Sequence, residues 1–230
     1  MSSPVRYTTK ILQKKSLTPD VSELHIEKPE GFTHQCGQFV QFVVPDGEKK
    51  LLRSYSLSST TDAPHLEFCI KFLENGKMAH HLGQLNEGDS IEWQGPLGRF
   101  TNSNKEKKLF FIATGVGLAP IMGILEDELK NKKNPNKMHL LFGVRERKDI
   151  FWHERLKALA DAHHNFHFSL MLSQPDAEWT GAHGRVTEAF PKEDMNWQYF
   201  LCGNPAMVQD SRKLLIERGV PAAGIHMEIF

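Results

Sequence analysis

The stretch KLFFIATGVGLAP, residues 108–120, decides the class of fold. Residues 108–114 contain a continuous apolar run, which is typical of a strand buried on both faces of a parallel sheet. The glycines that follow let backbone N–H groups approach a pyrophosphate, and Pro120 suits the first position of a helix. The stretch therefore predicts a strand, an anion-binding turn and a helix. A purely structural turn is the alternative, because the third glycine of the GxGxxG pattern is absent.

The residues after this stretch alternate between strand and helix patterns. Strands are predicted over residues 139–144, 166–172, 199–203 and 225–229. Helices are predicted over residues 120–129, 153–163 and 205–218, with a short helix after Gly184. This alternation predicts a doubly wound parallel sheet. The polar residues 101–107 mark a domain boundary, which divides the chain into residues 1–103 and 104–230.

The first hundred residues show short strand patterns separated by turn residues instead. Strands are predicted over residues 5–13, 21–28, 38–44, 53–58, 65–72 and 90–94, with one short helix over 78–85. Strands at this spacing predict an antiparallel barrel, with a sandwich as the alternative. A barrel followed by an α/β domain indicates one domain for each of two ligands, which meet at the interface.

Composition excludes several classes of function. The 28 basic and 28 acidic residues cancel, so no nucleic-acid partner is expected. We see no signal peptide and no apolar run of roughly 20 residues that could span a bilayer, which predicts a cytoplasmic protein. The three cysteines are too few for an iron–sulfur cluster, and the twelve histidines form no metal-binding motif, so we predict an organic redox cofactor and no metal.

The segment Arg53-Ser54-Tyr55-Ser56 carries the clearest binding signal in the first half. Arginine offers a planar fork to a pyrophosphate, and tyrosine offers a stacking face and a hydroxyl. Two residues apart on a strand, Arg53 and Tyr55 point to the same side, and Ser56 points to the other. A serine-rich edge strand is the alternative, and it explains the arginine and tyrosine less well.

Four motifs together resemble the ferredoxin–NADP reductase superfamily. They occur in the family's order and cover the whole chain: RSYS (53–56), GPLG (95–98), TGVGLAP (114–120) and CGNPAM (202–207). The resemblance implies an FAD-binding Greek-key β-barrel, residues 1–103, followed by a nicotinamide-nucleotide-binding α/β domain, residues 104–230.

The resemblance also implies the residues that bind FAD. Arg53 would hold the pyrophosphate, Tyr55 would contact the isoalloxazine or ribityl region, and Ser56 would hydrogen-bond near flavin N5, with Ser54 in the same segment. A strand lining the flavin and a second phosphate turn complete the set: Cys69, Ile70 and Lys71, then Gly76, Lys77, Met78 and Ala79. Ala79 stands where the family often has serine or threonine, which removes one hydroxyl donor.

On the nucleotide side, the resemblance places Thr114, Gly115 and Gly117 at the pyrophosphate of the nicotinamide nucleotide. Cys202, followed by Gly203, would lie near nicotinamide C4, or would be a small buried residue at a strand end. The catalytic set is completed by Ser56 and by Glu228, which would hydrogen-bond within the site.

Phe230 would stack on the flavin ring. The alternative for this last segment is a core strand in which Ile225, Met227 and Ile229 are buried.

These features predict a reductase that passes electrons from NADH or NADPH through FAD to a separate redox protein, such as ferredoxin, flavodoxin or an oxygenase component. The resemblance favours NADH, because NADP-using relatives often carry arginine where Gln174 stands and the pattern Trp179…Gly184-Arg185-Val186 resembles NADH-using relatives. Arg145 and Arg147 are still expected to be able to contact a 2′-phosphate. The alternatives are a free-flavin or small-molecule reductase, and a non-enzymatic electron-transfer or regulatory subunit on the same fold.

Overall fold

The computed structural model describes residues 4–73, 76–103, 107–190 and 197–229, and within these it contains two six-stranded sheets. The first sheet is antiparallel and has the strand order β4-β3-β6-β1-β2-β5. Its strands are β1 (Arg6–Thr18), β2 (Val21–Glu27), β3 (Phe39–Asp46), β4 (Lys49–Ser56), β5 (His65–Lys71) and β6 (Ser90–Leu97). A short helix, α1 (Lys77–Gln84), lies between the last two.

This first sheet closes into a barrel. An isolated bridge between Leu57, just after β4, and Phe68 of β5 joins the two edge strands. The interior is filled by large apolar side chains, among which Phe42, Phe68 and Trp93 are fully buried. The strand β6 lies between β3 and β1, and β2 pairs with β5. These non-sequential neighbours give the Greek-key connectivity that the motifs imply.

The largest departures from the predicted strand bounds in the barrel are at β1 and β4, and β6 also continues to Leu97 instead of ending at residue 94. β1 extends to Thr18 instead of residue 13, because Lys14 and Lys15 remain paired with β2 after a bulge near Ile11. β4 begins at Lys49 instead of residue 53, since its lysines pair with the end of β3 in a hairpin. Lysines at these strand ends hide the apolar alternation on which the sequence pattern depends.

The second sheet is parallel and doubly wound, as predicted, with the order β10-β9-β8-β7-β11-β12. Its strands are β7 (Lys108–Thr114), β8 (Met138–Val144), β9 (Phe166–Leu172), β10 (Ala182–His183), β11 (Trp197–Gly203) and β12 (Ile225–Ile229). The helices α2 (Leu118–Glu126) and α3 (His153–Ala162) pack on one face, and α4 (Pro205–Glu217) packs on the other. The two-residue β10 was not predicted.

The turn after β7 differs in detail from the prediction. A short 3₁₀ helix over Gly115–Gly117 precedes α2, so Pro120 is the third residue of α2 and not its first. The missing N–H of Pro120 still costs nothing, because the first four N–H groups of a helix have no partner within it. The short helix predicted after Gly184 is a single 3₁₀ turn over Val186–Glu188.

The two sheets share an apolar interface. Val21, Cys36, Cys69 and Phe100 from the first half pack in the same buried cluster as the side chains of β7 and α2. This packing fixes the end of β4 close to the C-terminal ends of the parallel strands, where ligands bind in open α/β sheets. Among the described residues, no helix combines the length and hydrophobicity needed to cross a membrane.

Candidate active site between the two sheets

The glycine turn after β7 has two glycines with different physical requirements. Gly115 has φ +53°, and a side chain there would meet open space. A Cβ on Gly117 would lie 2.3 Å from the carbonyl oxygen of Cys202 and 2.6 Å from Cα of Gly203. Gly117 is therefore needed because the turn packs against the end of β11, whereas Gly115 leaves its side of the turn free for a ligand.

Thr114 joins this turn to the start of α4. Its Oγ1 accepts a 3.0 Å hydrogen bond from the backbone N–H of Asn204, and Gly203, with φ +132°, has no room for a Cβ beside the same oxygen. Asn204 then caps α4 by accepting from the N–H groups of Ala206 and Met207 at 2.9 and 3.4 Å. The N-terminal ends of α2 and α4 are thus held side by side, and such ends attract anions.

A cleft of about 540 Å³ opens in front of these helix ends. The second half contributes the glycine turn, Arg145, Arg185 and Asn204, and the first half contributes Asp20 and Lys71. Lys71 pairs with Asp20 at 2.9 Å, whereas the exposed guanidinium of Arg145 has no ion pair within the described part of the chain. The backbone donors of the glycine turn, which has no side-chain cap, and the arginines fit a ligand that carries phosphate groups.

The predicted catalytic residues converge where the cleft meets the barrel. The buried Ser56 at the end of β4 donates a 3.1 Å hydrogen bond from Oγ to Oε2 of Glu228 on β12. Glu228 lies opposite Cys202 in the strand register, and Cys202 lies opposite Ala113 of β7. The structure therefore brings Ser56, Cys202 and Glu228 to one place from both halves of the chain.

Burial controls the protonation of this group. It raises the pKa of Glu228 to about 7, against the opposing effect of the Ser56 hydrogen bond. Burial, with a smaller effect of the Glu228 charge, raises the pKa of Cys202 well above its ordinary value. Cys202 is fully buried and neutral near pH 7, so it contributes volume and contact instead of a thiolate.

Arg53 and Tyr55 lie on the same face of β4, as expected, opposite Phe42 and Val40 in the register. The Tyr55 ring is half-buried and packs 5.5 Å from the Phe42 ring, and burial raises the pKa of its hydroxyl to about 12. The guanidinium of Arg53 is exposed and, within the described residues, donates only to the carbonyl of Leu52, at 3.0 Å. Its charge is therefore available to a ligand on this surface.

The N-terminus of α1 supplies a second set of donors. Gly76 precedes the helix without a side-chain cap, so the first N–H groups of α1 have no intrahelical partner. Lys77 is exposed beside Asp46, at 2.6 Å, and Ala79 is half-buried, whereas Met78 packs in the barrel core. An arginine fork and an uncapped helix end on one domain fit the two phosphates of an FAD, with Tyr55 and Ser56 toward the ring.

Several residues that the resemblance assigns to FAD lie in other surroundings than expected. The side chains of Cys69 and Ile70 are buried in the interface cluster and the barrel core, so a ligand contact there depends on their backbone. Lys71, which the resemblance places beside the flavin, lines the cleft in front of the glycine turn. Ser54 is exposed and accepts a weak 3.5 Å hydrogen bond from Gln41. Phe230, predicted to stack on the flavin, lies outside the described residues.

Sequence reasoning missed two residues at the cleft. Asn204 is part of the CGNPAM motif, and the resemblance implies no role for it, although asparagine before proline at the end of a strand is a helix-start signal. Asp20, between β1 and β2, reaches the cleft only through the docking of the two halves, and no local pattern indicates this.

Comparison with known proteins agrees with this architecture. Residues 8–102 match the family model of the oxidoreductase FAD-binding domain, and residues 111–213 match that of the oxidoreductase NAD-binding domain. The fold and these two matches define an FAD- and NAD(P)-dependent oxidoreductase. The chain belongs to the ferredoxin–NADP reductase superfamily.

Individual relatives extend over most of the chain. It is 29% identical to ferredoxin–NADP reductase B of Sorangium cellulosum, over 96% of both chains. It is 31% identical to the anthranilate 1,2-dioxygenase electron transfer component of Acinetobacter baylyi, over 84% of this chain, but spans only 57% of that protein. A ferredoxin NADP+ reductase from Neisseria gonorrhoeae, solved with bound FAD and NADP, superposes with a TM-score of 0.86 at 25% identity, covering 97% of this chain and 98% of that one.

Proposed function

We propose that this protein is an FAD-dependent NAD(P)H reductase that passes electrons from the nucleotide through flavin to a separate electron-transfer protein. The observation that carries the proposal is the convergence of Ser56, Glu228 and Cys202 between the Arg53 surface and the nucleotide cleft. The names of its relatives support a ferredoxin or an oxygenase component as the acceptor. A flavodoxin is proposed beside them from the family resemblance alone.

Each half of the chain has its own binding task. Arg53 and the N-terminus of α1 would hold the FAD phosphates, and the Thr114–Gly117 turn with Arg145 would hold the phosphates of the nucleotide. When bound, FAD accepts two electrons as a hydride and releases them to an acceptor. The protein supplies the alignment of the two ligands, which is the larger part of catalysis in such a reaction.

The three converging residues would act by contact and protonation. Cys202 fills the end of β11 with a neutral sulfur and sets the depth to which a nicotinamide ring enters. The hydroxyl of Ser56 donates a hydrogen bond to Glu228 in this structure. The same hydroxyl can turn to donate to a bound ring instead. Glu228 holds or releases a proton near pH 7, so it tunes the charge beside that ring.

For the nucleotide we propose NADH as the preferred donor, with NADPH accepted more weakly. Arg147, one of two arginines near a 2′-phosphate position, is held by Asp176 at 2.7 Å and Glu178 at 3.4 Å. Gln174 adds no charge, so of the two arginines predicted for a 2′-phosphate, Arg145 is the one without an ion pair to a described residue.

We further propose the division into residues 1–103 and 104–230, with which the matched ranges agree. A cytoplasmic location is proposed as well, since all three cysteines are unpaired.

The identity of the preferred electron acceptor distinguishes the proposed function from its alternatives. We expect the purified protein to carry one FAD and, with NADH, to reduce a plant-type ferredoxin, a flavodoxin or an oxygenase ferredoxin faster than free flavin at equal concentration. Faster turnover with free FMN than with every protein acceptor would identify a free-flavin reductase instead. Absence of any NADH-dependent electron transfer would identify a regulatory subunit.

A further inference from the structure

Arg155 on α3 makes three charged hydrogen bonds, one to the barrel half and two within its own half. Its NH1 group donates at 2.7 Å to Oε1 of Glu67 on β5 of the barrel. Its Nε and NH2 groups donate at 3.0 and 2.9 Å to the two oxygens of Glu126, the last residue of α2. Glu67 and Glu126 are buried and the Arg155 side chain is 24% exposed, so water screens these contacts little.

Trp152, just before α3, supports Arg155 at a conformational cost. It adopts φ +53°, a left-handed conformation that bulky residues rarely occupy. In this conformation its Nε1–H donates at 2.7 Å to Glu23 on β2, and its ring lies 4.9 Å below the guanidinium of Arg155. Strained backbone persists where surrounding contacts impose it, and here the contact that imposes it crosses between the two halves.

On the barrel side of this network, further polar residues contact the carboxylates of Glu23 and Glu67. The Nε2 atom of His25 lies 3.1 Å from Glu23 and 3.5 Å from Glu67, and Ser58 donates to Glu67 at 2.7 Å. Each carboxylate is therefore satisfied from several sides. A buried network of this kind is rigid when every member is present, and removal of one partner leaves an uncompensated charge.

The network links the elements that carry the two binding sites. Glu67 lies on β5, the strand that also supplies Lys71 to the cleft. Glu126 ends α2, the helix that begins directly after the Gly115–Gly117 turn. A shift of Arg155 relative to either carboxylate would therefore move a barrel strand against the helix that starts at the nucleotide site.

We propose that Arg155 is a positioning residue for hydride transfer: it clamps β5 of the FAD half to α2 of the nucleotide half and so sets the distance between the two bound rings. This inference rests on the proposed function. Misplacement of reacting groups by about 1 Å can slow a reaction roughly 100-fold, so a clamp outside the site can govern the rate.

Arg155→Lys tests the clamp because it keeps the positive charge and loses the fork that reaches both carboxylates. We expect the limiting rate of flavin reduction at saturating NADH, measured by anaerobic stopped flow, to fall about tenfold or more. FAD content and the NADH dissociation constant should stay within about threefold of the wild-type values. Arg6→Lys is the matched control, because Arg6 forms an exposed ion pair with Glu92 and both residues belong to the barrel half. The rate of flavin reduction in this variant should not change.

Glu126→Gln provides a second variant on the other side of the contact, and it decides the question if Arg155→Lys does not fold. The double variant should be no slower than the slower single variant, since both remove one shared interaction. Wild-type limiting rates in Arg155→Lys and Glu126→Gln would overturn the clamp while leaving the proposed function intact. Failure of NADH to reduce the wild-type flavin would overturn both.

Discussion

Ser56 and Glu228 are joined by a 3.1 Å hydrogen bond although 172 positions separate them in the sequence. Ser56 ends a strand of the barrel, and Glu228 lies on the last strand of the parallel sheet. The hydrogen bond therefore marks the place where the two binding halves meet. Because burial raises the pKa of Glu228 to about 7, this junction changes charge near neutral pH.

The first prediction concerns this charge. Glu228 is neutral below about pH 7 and ionised above it. A hydride brings negative charge to the neighbouring ring, and an ionised carboxylate opposes it. We expect the limiting rate of flavin reduction to fall roughly tenfold as pH rises through about 7. In Glu228→Gln the rate should be independent of pH between 6 and 8. An unchanged pH step in that variant would assign the ionisation to another group.

Arg53→Ala should weaken FAD binding selectively. The guanidinium is exposed and donates one hydrogen bond, to a backbone carbonyl, in the part of the chain that the structure describes, so its loss should disturb the fold little. Hydrogen bonds to charged groups contribute about 1.5–3 kcal/mol, which predicts an FAD dissociation constant raised roughly 10–100-fold. Lys50→Ala, which removes a cation on the same strand that pairs with Glu92, is the control. Equal FAD retention in both variants would remove Arg53 from the binding site.

The two glycines of the turn should differ in their tolerance of alanine. Gly117→Ala places a Cβ against the end of β11, so it should destabilise by about 1–3 kcal/mol and lower Tm by roughly 3–10 °C. In Gly115→Ala the added methyl group has no atom within 4 Å, so the variant should be destabilised only by the positive φ, by about 1 kcal/mol. Thermal unfolding of both variants compares them. A larger loss of Tm at Gly115 would contradict the packing described here.

His25 should stabilise the interface in a pH-dependent way. Hydrogen bonds to Glu23 and Glu67 raise its pKa to about 9, with Arg155 and the stacked His65 nearby. Because the folded pKa exceeds the ordinary 6.5, the stabilisation is complete below about pH 6.5 and is lost as pH rises through about 9.

His25→Gln should therefore lower Tm at pH 6 by roughly 4–8 °C, which corresponds to about 2 kcal/mol. The difference from wild type should shrink steadily toward pH 10. His65→Gln, which removes the stacked ring but no ion pair to a described residue, should show a smaller difference at every pH. A His25→Gln difference that is constant from pH 6 to pH 10 would show that the charge of His25 does not stabilise the fold.

The sequence predicts the elements whose patterns are local. The β7 strand was predicted with its observed bounds because its apolar run is uninterrupted, and the parallel sheet followed from its neighbours. The ends of β1 and β4 were missed because paired lysines show no apolar alternation. The pattern predicts a helix that begins at Pro120, whereas α2 begins two residues earlier, at Leu118, directly after a 3₁₀ turn.

The candidate site also has a part that local sequence patterns predict and a part that depends on the packing of distant segments. Gly117 and Thr114 are visible in the sequence as a turn, but the contact of Gly117 with β11 depends on the packing of distant strands. The ion pair of Arg155 with Glu67 spans 88 positions and links different halves, so no spacing rule indicates it. Contacts that arise from domain docking can be derived only from the folded chain.

Anaerobic reduction of the bound flavin tests the central claim most directly. The protein, purified with its FAD, is titrated with NADH and in a separate sample with NADPH, and the flavin absorption band is followed. A two-electron transfer at the junction of the halves predicts complete bleaching with about one equivalent of nucleotide per FAD, faster with NADH. A flavin spectrum that neither nucleotide changes would contradict the assignment of the cleft and of the Ser56–Glu228 junction to hydride transfer.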